Sequence, residues 1–109
     1  MKYNVKITLK AQENLKAILQ KIVKYSSSQE YGQKWKDKFK KAILSLDEFP
    51  CRYPLVKEDT CRSKGVRRMS IRPYIAYYCV IEKEKIVSVD ALSHSKQNQA
   101  EILEEAYGI

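Results

Sequence analysis

No run of apolar residues in this 109-residue chain approaches the ~20 needed to cross a bilayer. The opening MKYNVKITLK alternates polar and apolar residues and lacks the continuous apolar segment of a secretory leader. Both absences predict a cytoplasmic protein with no membrane contact. Cysteine is sparse: Cys51, Cys61 and Cys79 are odd in number and lack metal-ligand spacing, which makes them reduced thiols and predicts neither a metal nor a cofactor. With a single histidine, His94, any cysteine nucleophile would need that one imidazole beside it in space. Internal repeats and linkers are also missing. A chain of this length holds one core and is too short for two, so residues 1–109 read as one domain.

Positive charge is plentiful. The formal net charge is +8. Residues 1–50 carry 11 lysines against 5 acids, and residues 51–109 carry 10 basic against 8 acidic residues. From Arg62 to Tyr74 there are five basic residues and no acid. Such a balance favours phosphate backbones or acidic proteins through steering and counterion release. The N-terminal lysines read as a solvated face. The arginine cluster is more specific, because guanidinium groups bind phosphate or carboxylate in a planar, bidentate way.

Tyr3, Val5, Ile7 and Leu9 alternate with polar residues, which predicts a half-buried strand. Thr8 can cap a following helix with Glu13 in its first turns, and Ala11, Leu15, Ile18, Leu19, Ile22 and Val23 then recur at helical spacing. Ser26-Ser27-Ser28 interrupts the pattern, and Ser28 can cap a second helix with Tyr31, Trp35, Phe39, Ala42, Ile43 and Leu46 as its apolar stripe. Pro50 and Pro54 end that helix and open an irregular stretch to about Lys64.

After Gly65 the period becomes that of strands: Val66 to Ile71, Tyr74 to Ile81 and Ile86 to Leu92, with Glu82-Lys83-Glu84-Lys85 as a charged hairpin turn lacking Asn-Gly. Alternation places Tyr74 and Tyr78 on one face and Tyr77 on the other, and it separates Arg67 from Arg68. Residues 97–107 suit a terminal helix. The order β-α-α-β-β-β-α predicts an α+β fold in which an antiparallel helical hairpin covers an antiparallel sheet. His94 closes the last strand; a histidine there either caps the sheet through backbone hydrogen bonds or works as a general acid or base.

Several strings, in order and spacing, resemble the RelE/ParE superfamily of toxins from bacterial type II toxin–antitoxin modules. They are Thr8, Ala11 and Leu15 as T-x-x-A-x-x-x-L; LDEFPCRYP from Leu46 to Pro54; Gly65-Val66-Arg67 followed by Tyr74 and Tyr78; and a closing strand ending at His94. The resemblance covers nearly the whole chain. It implies a plasmid-stabilisation toxin that inhibits growth and is neutralised by a cognate antitoxin. It leaves two targets open, since RelE-like members cut mRNA on the ribosome and ParE-like members poison DNA gyrase.

Ribonuclease chemistry needs a group to activate the 2′-OH, cations for the phosphorane-like transition state, and an acid for the leaving oxygen. Against the RelE-like pattern, Arg68 matches a sheet lysine and Lys96 falls near the arginine after the last strand. Ile75 stands where an arginine is expected, Ile102 falls near the helix tyrosine, and Tyr107 lies too far along to replace it. If the protein is an endoribonuclease, its catalytic residues are Arg68, Arg72, His94 and Lys96. The incomplete set favours the ParE-like reading, a non-enzymatic inhibitor that binds its target through Arg67, Arg68, Arg72, Tyr74 and His94.

Overall fold

The computed structural model describes residues 2–108. Strand β1 (Asn4–Ile7) leads through Thr8 into α1 (Leu9–Ser26), which turns back through α2 (Gln29–Leu44). Two 3₁₀ turns, Ser45–Asp47 and Pro50–Arg52, and a five-residue helix α3 (Asp59–Ser63) precede the strands β2 (Arg67–Ile71), β3 (Tyr74–Ile81) and β4 (Ile86–His94). Helix α4 (Gln99–Tyr107) follows. The predicted α+β order holds, with α3 an addition inside the stretch expected to be irregular.

The caps follow from the sequence. The Thr8 and Ser28 hydroxyls accept the backbone N–H groups of Ala11 and Tyr31, and the Asn98 amide oxygen accepts that of Glu101. Each satisfies a donor that a helix start leaves free. Leu9 is the first residue of α1 and 71% exposed, not the last rung of the strand, and Glu13 lies one turn too deep, leaving no acid in the first turn.

The sheet runs β1-β4-β3-β2, and its strand directions are mixed. The β2–β3 and β3–β4 pairs are antiparallel, whereas β1 lies parallel to β4, with Val5 opposite Val87 and Ile7 opposite Val89. The sheet is thus mostly antiparallel, as expected, with the β1–β4 pair as the parallel exception. The helical hairpin acts as a long crossover that carries the chain away from β1 before β4 is laid beside it, and alternation along β1 does not encode its direction of pairing.

Each sheet face has its own apolar cluster. The helical hairpin covers one, packing Ala11, Phe39 and Ile43 on Met69, Ala76, Tyr78, Val87, Val89 and Leu92. Leu46 joins this cluster from the following 3₁₀ turn, past the helix end where the stripe placed it. The segment around α3 together with α4 covers the other, packing Val56, Cys61, Val66 and Leu103 on Ile75, Tyr77 and Ala91. A bulge at Asp90, opposite the Tyr77/Tyr78 step, lets β4 supply both Val89 and Leu92 to the hairpin face. β1 ends level with Val89, leaving the rest of β4 without a strand on that side. Side chains take over there: Asn14 Oδ1 accepts the Leu92 N–H, and Gln97 Oε1 accepts that of His94.

Candidate functional site

The sheet opens to solvent where the β2–β3 turn meets the end of β4. A cis peptide bond joins Arg72 to Pro73 in that turn, and the Pro73 carbonyl accepts the Ser95 N–H, tying the turn to the end of β4. Tyr74 pairs directly with His94. Their rings meet edge to face at 5.3 Å, Tyr74 meets Trp35 of α2 in the same way at 5.2 Å, and Trp35 meets Phe39 at 5.7 Å. Each separation lies in the range of favourable aromatic pairs. This row of rings leads from the buried Phe39 outward to His94. Burial raises the Tyr74 phenol above the usual tyrosine range, with Tyr31 adding to the shift.

The loop after β4 orients His94. Nδ1 accepts the backbone N–H of Lys96 at 3.1 Å, which leaves Nε2 as the ring atom free to meet a partner. The His94 carbonyl accepts from the Gln97 N–H and the Gln99 side-chain amide. The predicted capping role is therefore present, and the other edge of the ring still lines a cleft. Lys21 of α1, Leu92, His94, Lys96 and Ile102 are among that cleft's walls, and its volume is about 380 Å³. Lys96 is exposed on the cleft wall, and Arg72 is exposed in the β2–β3 turn beside Pro73.

The structure splits the remaining arginines. Arg67 shares the hairpin face with Met69, and its guanidinium donates to the Cys51 and Tyr53 carbonyls at 3.2 and 2.8 Å. Together with the Tyr78 hydroxyl, which donates to the Pro50 carbonyl at 2.6 Å, it holds the proline-bracketed segment on the sheet. Arg68 pairs with Tyr77 and belongs to the opposite face, beneath α3 and α4. Its half-exposed charge pulls the Tyr77 phenol down, against the larger upward push of burial. Arg68 is thus on the other side of the sheet from His94. Among the predicted residues, Tyr74, His94 and Lys96 come together, Arg72 lies in the adjoining turn, and Arg67 and Arg68 do not join them.

Arg68's face is closed beside it. Ile75 is 2% exposed, and Leu103 of α4, also 2% exposed, is packed in the same cluster. Tyr107, set aside in the sequence as lying too far along, holds α4 in place: its hydroxyl donates to the Asp90 carboxylate at 2.6 Å, and Ser88 donates to the other carboxylate oxygen at 2.6 Å. Burial and the Asp90 contact push the Tyr107 phenol far above its ordinary range. Cys79 sits beside it and pairs with Ser88. It is five residues along β3 from Tyr74, roughly 17 Å at strand rise, and faces the other way, so His94 cannot activate its thiol.

Two contributors to the open end escaped the sequence reading. Lys21 falls on the polar side of α1, one lysine among many. Tyr25, 80% exposed, breaks no rule visible in the chain beyond being aromatic outside the apolar stripe, and Tyr31, assigned to the α2 stripe, is 48% exposed.

Residues 5–99 match the model of a family described as the ParE toxin of the type II toxin–antitoxin system parDE. Among solved structures, the fold is similar to that of a double arginine-to-alanine mutant of the Escherichia coli toxin RelE in the free state. That chain is 16% identical with a TM-score of 0.60, and the match covers 99% of this chain and 97% of the other. It is also similar to a chain of the RelBE2 toxin–antitoxin complex from Mycobacterium tuberculosis. There the identity is 19% and the TM-score 0.52, covering 86% of this chain and 99% of the other. No curated protein sequence matches the chain.

Proposed function

Because the chain belongs to the ParE toxin family of type II toxin–antitoxin systems, we propose that it stops growth by binding an essential target, DNA gyrase, and performs no RNA chemistry of its own. The observation carrying this reading is the burial of Ile75. A phosphoryl-transfer site needs cations aimed at the developing charge in an open cleft. Here that position is hydrocarbon, packed with Leu103 and Tyr77, and Arg68 lies across the sheet from His94 and Lys96. At the sheet's open end the exposed Arg72 and the half-buried Tyr74 and His94 are the part of the predicted binding set that a large partner can reach. Arg67 supports it indirectly by fixing the 51–54 segment.

The protein acts in the cytoplasm, where a cognate antitoxin neutralises it. The net charge of +8 suits an acidic antitoxin segment, added to the sheet or laid along the helical hairpin. Mixing the two proteins should give a tight complex that loosens with added salt; absence of a complex at low salt would count against this pairing.

Inducing the protein in a bacterial host without antitoxin tests the target. Arrest with an SOS response and altered plasmid supercoiling is the expected outcome, weakened by Arg72→Ala or His94→Ala. The second reading, a ribosome-dependent endoribonuclease, rests on His94 and Lys96 sharing one cleft, and it predicts mRNA cut within coding frames. In that case Lys96→Ala would abolish cutting, and unchanged cutting by His94→Ala would exclude the imidazole as proton carrier. Unaltered growth on induction would leave a toxin fold that binds antitoxin and has lost toxicity.

A further inference from the structure

Two grooves meet at Tyr74 and His94. One is the cleft between α1 and the end of β4; the other, of about 580 Å³, opens beneath the tip of the helical hairpin and is bordered by Tyr25, Tyr31, Trp35 and Pro73. Lys21, Tyr74 and His94 line both, which makes them one continuous channel. Among the described residues lining it, none carries a carboxylate, and Lys21, Lys96 and His94 supply basic groups. Of the other surface clefts, the one between Lys16 and Lys24 on the hairpin is also free of acids but has no aromatic ring, whereas Glu58, Asp59 and Glu104 line the one beside α3, and Glu48 and Glu82 the one at the opposite end of the sheet.

The channel's aromatic groups are unusually available. Tyr25 and Tyr31 are 80% and 48% exposed and flank the hairpin turn, where Ser27 adopts a left-handed conformation. Trp35 is half-buried in the channel wall, with the Lys38 ammonium 4.6 Å from its ring centre. Planar faces in a basic groove free of acids are what a single strand of nucleic acid requires, because every base offers a ring face and every phosphate a negative charge. An acidic peptide would satisfy the lysines but offer the rings nothing to stack upon. Between the two tyrosines and His94 the wall is mostly hydrocarbon, from Ile22, Trp35 and Pro73, and the Ser26 hydroxyl is already given to the Ile22 carbonyl. A ribose 2′-OH laid against that hydrocarbon would lose water without gaining a partner, so deoxyribose fits that stretch of the wall better.

We propose that this channel binds single-stranded DNA, with bases stacked on Tyr25, Tyr31 and His94 and phosphates held by Lys21 and Lys96. The site is independent of the identity of the protein target, and a gyrase assay that failed would leave it standing.

Fluorescence anisotropy of a labelled 12-nucleotide thymidine strand with the full-length protein, in low salt, tests the proposal. Binding should weaken steeply with salt. Tyr25→Ala and Tyr31→Ala should each weaken it about 5- to 100-fold, the range for losing one stacked base, and Tyr25→Phe should restore it. Both side chains are largely exposed, so the variants should melt like the parent. If Tyr31→Ala proves unstable, the Tyr25→Ala and Tyr25→Phe pair decides. The proposal is overturned by absence of binding, by equal affinity for a duplex of the same length, or by equal or tighter binding of a uridine strand. Unchanged affinity in the tyrosine variants overturns it too, as does displacement of the strand by an equal concentration of polyglutamate.

Discussion

At Ile75 a branched hydrocarbon, 2% exposed, follows Tyr74 directly, and its neighbours Leu103, Tyr77 and Ala91 are as deeply buried. A cation placed there would lose its hydration and find no carboxylate in that apolar cluster. Ile75→Arg should therefore lower stability by on the order of 3–5 kcal/mol, the cost of an unpaired buried charge, and confer no ribonuclease activity. A urea midpoint equal to the parent's, with new RNA cleavage, would show the position to be a vacant catalytic site. One buried group and two half-buried ones set the response to alkali. Burial holds the Tyr78 phenol up to about 12 and the Cys79 thiol up to about 11, and the Tyr107 phenol is raised further still. The folded state thus keeps protons that the unfolded chain releases at ordinary pKa values, and stability falls as pH rises. Melting temperature should be flat up to about pH 9 and drop between about 9 and 12. Tyr78→Phe should soften that drop while losing the bond to the Pro50 carbonyl. The period of two was enough to place Tyr74 and Tyr78 on one face and Tyr77 on the other. It said nothing of Arg67's carbonyl partners, because they come from a segment 14 and 16 residues away with no periodicity to read.

Helix boundaries at the scale of elements were readable wherever a cap residue marks them, as Thr8 and Ser28 do. The way α1 and α2 approach each other was not. A β-carbon at Gly32 would stand 2.4 Å from Val23 Cγ2, closer than atoms tolerate. Alanine normally favours a helix over glycine by up to about 1 kcal/mol. The clash should outweigh that gain, because valine is stiff about χ1 in a helix and the two helices would have to part. Gly32→Ala is expected to destabilise by about 1–3 kcal/mol, and Val23→Ala in the same chain should recover part of it. A thermal midpoint for Gly32→Ala at or above the parent's would refute the close approach. The end of β4 depends likewise on a side chain in place of a strand. Asn14→Leu would leave the Leu92 N–H without its acceptor, costing about 1–3 kcal/mol and speeding amide exchange at Leu92 first. Neither dependence is visible in the sequence: the first arises from how closely α2 turns back on α1, the second from where the crossover lays α1 against a strand 78 residues later. The parallel pairing of β1 escaped for the same reason.

For the molecule as a whole, two ends of one sheet carry different chemistry. Near the β3–β4 turn, Tyr3, Glu82 and Lys85 neutralise one another: the Tyr3 hydroxyl donates to the Glu82 carboxylate, which holds that acid below its usual range with Lys85 assisting. At the far end His94, Lys96 and Lys21 line a channel with the exposed rings of Tyr25 and Tyr31, and none of its described lining residues is an acid. The sequence announced the basic, aromatic strand block and its closing histidine; it could not show that folding sends Arg68 to a closed face and brings Lys21 and Tyr25 from α1 to the open one. Toxicity, on this account, comes from what the open end grips. The most direct test is a plasmid supercoiling assay with purified gyrase and the purified protein, run beside a translating ribosome extract programmed with a defined mRNA. Lost supercoiling with trapped, cleaved plasmid, and an intact mRNA, is the predicted result. Normal supercoiling together with mRNA cut within its coding frame would contradict it.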